Sequence, residues 1–168
     1  MGKDTVINAW RAKNPRVERV VAYTTRSPRE GEVAGADYHF VPVESFQQLA
    51  TDGAFLEHKE VHSNFYATPL LDMERMLADG KIAILKIDVQ GALTAMSLRP
   101  DAITVFLLPP SWDELERRIR DRGTDDAATI EKRLRNATEE LGLASRYQHQ
   151  VTNDDLDNVV ARLEEIVA

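Results

Sequence analysis

A chain of 168 residues, 43% hydrophobic and 29% charged, has the size and balance of one globular domain with a sizeable core. A net charge of −7 argues against general nucleic-acid binding, and the absence of cysteine excludes disulfides and thiolate metal sites. No apolar run approaches the roughly 20 residues of a membrane span and the start lacks a signal-peptide pattern, while the absence of cysteine fits a cytoplasmic protein.

The opening "MGKDTVINAW" places Gly2-Lys3 ahead of Asp4, Thr5 and an apolar helical run. That is how the second half of a phosphate-binding G-x-x-x-x-G-K-[ST] loop reads. "VINAWRAK" predicts a helix ended by Pro15, "ERVVAYTTR" a strand, and "ADYHFV" a second strand. "VESFQQLATDG" predicts a helix closed by Gly53, and "FLEHKEVHSNFYAT" a strand-turn-strand unit. "PLLDMERMLADG" predicts a helix from Pro69, at a first helical position, to Gly80. "KIAILKID" and "AITVFLLP" are short continuous apolar runs that suit buried parallel strands, with the helix "VQGALTAMSLRP" between them. "SWDELERRIRDRG" begins with Ser111 and Glu114 at capping-box spacing. In "DAATIEKRLRNATEELGLASRY", Ile130, Leu134, Ala137 and Leu141 share one helical face. "HQVTND" predicts a last strand and "DLDNVVARLEEIVA" a closing helix. Buried strands alternating with helices predict an α/β fold with a parallel sheet. The polar stretch from about residue 26 to 68 predicts a smaller, more antiparallel lobe set into it.

Several clusters carry chemistry. Arg26 and Arg29 flank Pro28 in "TTRSPREGE", a stiff turn suited to bidentate capture of a phosphate or carboxylate, although a solvated basic turn has the same pattern. Tyr38 and Tyr66 add hydroxyl donors or serve as half-buried packing. Arg118 and Arg122 share a helix face beside the polar turn "TDDAAT", with Arg133 and Arg135 in the next helix. This fits a lid over transferring phosphates, or a helix end whose cations suit its dipole. Asp88 ends a buried strand, where open α/β sheets bind ligands, or caps the next helix. Glu57 lies in an apolar-flanked strand, as a partly buried acceptor or a surface position. The four histidines show no metal-ligand spacing.

Together these stretches resemble guanylate kinase, the family that moves a phosphoryl group from ATP to GMP. "TTRSPREGEVAGADYHFV" is similar to its GMP-phosphate segment and "FLEHKEVHSNFYATP" to its guanine-reading segment. "LKIDVQGA", "LLPPSWDELERRIRDRGTD" and "NDDLD" resemble its strand-end acid, lid and adenine-side motifs. The resemblance implies a nucleoside-monophosphate-kinase fold in one domain. Its core would be 1–25 and 69–168, its GMP lobe about 26–68 and its lid about 117–135. It implies that Arg26, Arg29, Tyr38 and Tyr66 hold the GMP phosphate. Glu57 would accept from guanine N1–H and the amine, Thr68 would donate to the guanine oxygen, and Asp88 would assist the amine or a magnesium water. Lys3, Arg118, Arg122 and Arg133 would neutralise the transferring phosphoryl group. Gly2, Lys3, Asp4, Thr5 and Asn153 would bind ATP, with Asp4 or Thr5 near magnesium.

Three departures accompany it. Lys86 stands where the family usually has an acid, and Ala67 where it usually has glycine. The strand and first half of the phosphate loop that precede Gly-Lys in the family are absent. A gap of about 10–15 residues in the sheet would leave backbone groups unpaired and remove phosphate-cradling amides. The expectation from sequence is therefore impaired kinase activity, with GMP binding retained and the gap open to filling in a homodimer. The alternative is a non-catalytic guanylate-kinase-like module binding GMP or a phosphopeptide.

Overall fold

The computed structural model describes residues 2–123 and 125–168; Met1, and Thr124 within the expected lid turn, lie outside the described residues. The chain forms two compact units, one of residues through Trp10 with Ile103–Ala168, the other Arg11–Ala102. Among the described residues no helix is long and apolar enough to cross a membrane.

In the first unit, helix α1 (Lys3–Lys13) begins where the Val6 amide donates to the Gly2 carbonyl at 3.0 Å. Val6, Ile7 and Trp10 give it a buried stripe, and the Trp10 indole N–H donates to Glu164. Glu164 sits on α7 (Leu156–Val167), which buries Val159, Val160 and Leu163. Strands β7 (Val105–Leu108) and β8 (His149–Thr152) pair in parallel across the intervening helices; β7 is half-buried rather than the buried strand expected, and β8 buries only Val151. Between them lie α5 (Trp112–Arg120) and α6 (Ala127–Gly142). Ser111 caps α5 by accepting from the Glu114 amide at 3.1 Å. The Glu114 carboxylate does not return the bond seen in a capping box; it faces Arg117 and Arg118 instead. The apolar face of α6 is half-buried throughout, with no residue fully enclosed.

In the second unit, β1 (Val17–Arg19) runs parallel to β6 (Ile82–Ile84), which α3 (Leu70–Ala78) precedes and α4 (Val89–Leu98) follows. A separate four-stranded sheet has the order β3-β2-β5-β4, from β2 (Tyr23–Thr24), β3 (His39–Phe40), β4 (Phe55–Val61) and β5 (Asn64–Pro69). It is mixed: β2 and β3 are parallel, while β2–β5 and β4–β5 are antiparallel. The expected single strand "ERVVAYTTR" is thus two strands in two sheets. After Val20, whose amide still bonds Ile84 at 3.0 Å, the backbone leaves β6. Tyr23 then pairs with Ala67 and stacks on His39 (4.6 Å) and Phe55 (5.4 Å), while Thr24 is fully buried. Those aromatic contacts reward the switch, and no Gly or Pro marks it locally. The expected strand "ADYHFV" likewise contributes only His39 and Phe40. Pro69 closes β5 and is the N-cap rather than the first residue of α3. Helix α2 (Val43–Thr51) backs the sheet with Phe46, which lies 4.9 Å from the Phe55 ring and 5.5 Å from Phe65.

Hairpin β4–β5 closes between Val61 and Asn64, with His62 (φ 50°) and Ser63 (φ 67°) both in the left-handed region. Positive φ at both central residues matches the right-handed twist of the strands, but side chains there carry strain. Ser63→Gly is expected to stabilise the protein by about 0.5–1 kcal/mol, read from urea unfolding midpoints.

Candidate active site

The register of β4 against β5 sets Glu57 opposite Thr68 and Lys59 opposite Tyr66. Glu57 and Thr68 are 5% and 2% exposed, and the Thr68 hydroxyl donates to Glu57 Oε1 at 2.8 Å. Glu57 Oε2 is buried and has no hydrogen-bond partner among the described residues. A buried carboxylate oxygen without a donor is unfavourable by several kcal/mol unless a ligand completes it. Asp88 is the N-cap of α4: its Oδ1 accepts from the Gly91 amide at 2.9 Å and also carries the Lys59 ammonium. The helix-cap reading of Asp88 holds, whereas β6 ends at Ile84, so Asp88 lies on the connection into α4 rather than at the strand end.

In the same sheet, the pairing of Thr24 with Tyr66 carries Arg26 toward the tyrosines. The Arg26 guanidinium lies 5.1 Å from the Tyr38 ring centroid, and the Tyr38 and Tyr66 rings meet edge-on at 6.0 Å. Three of the four expected phosphate ligands therefore come together, while Arg29 is exposed on the following turn. Arg26 is not idle: Glu32 holds it in a two-point pair, Nη1–Oε1 2.6 Å and Nη2–Oε2 2.9 Å. Glu32 also accepts from the Arg29 amide at 2.7 Å. The pair raises the Arg26 pKa and pushes Glu32 from its ordinary 4.5 down to about 2, chiefly through the Arg26 hydrogen bonds.

In the other unit, Lys3, Asp4 and Thr5 open α1 and are exposed, at a helix N-terminus that favours anions. Gly2 has φ 83°, and a Cβ there would stand 2.8 Å from the Asn153 amide nitrogen, so Gly2 and Asn153 adjoin. Asn153 and Arg118 both line a pocket with Phe106, Leu108, Leu115 and Leu141. Arg118 Nε donates to Glu114 at 2.7 Å, Arg133 pairs with Asp125 at 2.9 Å, and Arg122 is exposed just past α5. The expected donor-side and acceptor-side residues thus divide between the two units.

The guanylate kinase family model matches residues 1–168. This chain belongs to the guanylate kinase family. It is 47% identical over 162 residues to the guanylate kinase of Nitratidesulfovibrio vulgaris, covering 96% of this chain and 78% of that one. It is 40% identical over 166 residues to that of Clostridium perfringens, covering 99% and 77%. The crystal structure of guanylate kinase from Anaplasma phagocytophilum superposes with a TM-score of 0.81 at 33% identity, over 98% of this chain and 79% of that one. The fold is therefore the α/β fold of guanylate kinases.

Two charged residues around this family site escaped the sequence reading. Glu32 sits three residues beyond Arg29 in the quoted segment, where nothing in the local pattern singles it out. Lys59 alternates with Glu57 along β4, and that spacing of two on a strand was the available signal. Because the folded pKa of Glu32 lies below its unfolded value, its pair contributes stability above about pH 4.5, which is lost as pH falls toward 2. Glu32→Gln removes that contribution. Melting temperatures followed from pH 6 downward are expected to fall less steeply in the variant between about pH 4.5 and 2.

Proposed function

We propose that this member of the guanylate kinase family transfers the γ-phosphoryl group of ATP to GMP, giving ADP and GDP. The observation that carries the reading is the buried Glu57 carboxylate, one oxygen fixed by Thr68 and the other without a hydrogen-bond donor among the described residues. Guanine offers N1–H and a 2-amino group to such an acceptor, whereas adenine has a bare N1. The mismatch leaves a buried polar group unpaired, so discrimination is strong. Thr68 spends its hydrogen on Glu57, so we assign it first to fixing that acceptor. It would reach the guanine oxygen only by turning its hydroxyl.

Arg26, with Tyr38, Tyr66 and Arg29, would take the GMP phosphate, and Glu32 keeps the Arg26 fork oriented before it arrives. On the donor side, the N-terminus of α1 with Gly2 and Lys3 suits the ATP phosphates, and the Asn153 pocket suits adenine. Arg118, Arg122 and Arg133 would neutralise charge developing on the transferred group. No covalent intermediate is required, because positioning and charge neutralisation suffice. Asp4 or Thr5, exposed at the start of α1 beside Lys3, would hold the magnesium ion that accompanies ATP. When bound it would neutralise the phosphate oxygens. Asp88, already ion-paired with Lys59, is better matched to the guanine amine than to the metal. A cysteine-free chain is compatible with a cytoplasmic setting.

The test is ADP release coupled to NADH oxidation, with GMP and AMP as acceptors. Turnover with GMP and not AMP is expected; no GMP turnover at any enzyme concentration overturns the reading. Glu57→Gln, which puts a donor against N1–H, is expected to lower kcat/KM for GMP about a hundredfold or more. Arg118→Ala is expected to lower kcat by about tenfold or more while the GMP KM changes little, because its cation acts on the transferring group.

A further inference from the structure

Lys59 follows Glu57 by two residues on β4, so both side chains leave the same face. Its ammonium pairs with Asp88, and Nζ is buried beside the equally buried Glu57 Oε2, so its charge is taken up by the carboxylates around it. Gly91, in the first turn of α4, shows how tightly the charges meet. A Cβ at Gly91 would stand 2.8 Å from Lys59 Nζ, 3.2 Å from Glu57 Oε2 and 3.4 Å from Asp88 Oδ1. Two carboxylates and one ammonium therefore converge over one glycine, where β4 meets the start of α4. Without the ammonium, two like charges would face each other across a partly dry space, and each would turn toward solvent.

We propose that Lys59 is a positioning residue of the purine site, whose ammonium holds the Glu57 and Asp88 carboxylates together as a paired acceptor for the N1–H and 2-amino donors of guanine. This rests on the reading of the site as a GMP site. Lys59 acts through the carboxylates and leaves the phosphate ligands alone. Its loss should therefore be felt most by the ligand with the 2-amino group. GMP and IMP share ribose, phosphate, N1–H and the 6-oxygen, and IMP lacks that amine.

The experiment is calorimetric titration of the full chain with GMP and with IMP, for the native protein, Lys59→Met and Lys59→Arg. The native protein is expected to prefer GMP. Lys59→Met is expected to weaken GMP by about tenfold, IMP by clearly less, and so to shrink the GMP/IMP ratio. Lys59→Arg, which keeps the cation, is expected to restore the ratio. An unchanged ratio in Lys59→Met overturns the inference, including a parallel fall in both affinities, which is what a merely structural role would give. A native protein with no preference for GMP overturns it too. If Lys59→Met shows no cooperative melt, Lys59→Gln is read by the same criteria. ADP release is measured on the same samples. A native protein that prefers GMP but does not phosphorylate it would sink the kinase reading and leave the role of Lys59 standing.

Discussion

The burial of the Glu57 carboxylate constrains everything around it. A charge that is 5% exposed must be met by donors or cations, because hydration no longer offsets its self-energy. Thr68 meets one oxygen from the facing strand. Lys59, two residues along the same strand, brings a cation, and that cation needs a second carboxylate, which is Asp88 at the start of α4. Gly91 then has to be glycine for the three charged atoms to approach the helix. The pairing of β4 with β5, the placement of α4 and the absence of a side chain at 91 are consequences of satisfying one buried acid. The oxygen left over, without a hydrogen-bond donor among the described residues, is the ground on which a binding site is proposed.

A second regularity concerns the arginines. Arg26 is held by Glu32, Arg118 by Glu114 and Arg133 by Asp125. In a chain with 28 acidic and 21 basic residues, carboxylates are abundant enough to give each of these cations a local partner. The partly buried, two-point Arg26–Glu32 pair can fix orientation. The more exposed pairs along α5 contribute little stability and leave their arginines ready to exchange a carboxylate for a phosphate. Under the proposed function, anion binding at these arginines would be an exchange of partners, with affinity set by how well a phosphate outcompetes a tethered carboxylate.

Much of this was legible in one dimension. The alternation of apolar runs with helical periods predicts the order of elements, since both periods are local properties of backbone geometry. Ser111 as a cap and Gly53 and Gly80 as helix ends follow from backbone groups a few residues away. The family resemblance implies anion and purine recognition by residues 26, 38, 57, 66, 68 and 88, and the fold brings them into one unit. Less legible was the division of "ERVVAYTTR" between two sheets, because each half is an ordinary strand sequence. What separates them is the company of His39, Phe55 and Ala67, brought from elsewhere in the chain.

The sequence by itself determined the kinds of chemistry present: cations beside a stiff turn, an acid in an apolar strand, a glycine-lysine pair opening a helix. It did so because residue type and short spacing carry charge, hydrogen-bonding capacity and backbone preference. Only the tertiary structure decided which of those groups hold one another. It made Thr68 a donor to Glu57, Glu32 the keeper of Arg26, and Lys59 the counter-ion of Asp88. Burial and long-range strand register set those partnerships, and a side chain's hydration and neighbours do not exist until the strands that supply them have come together.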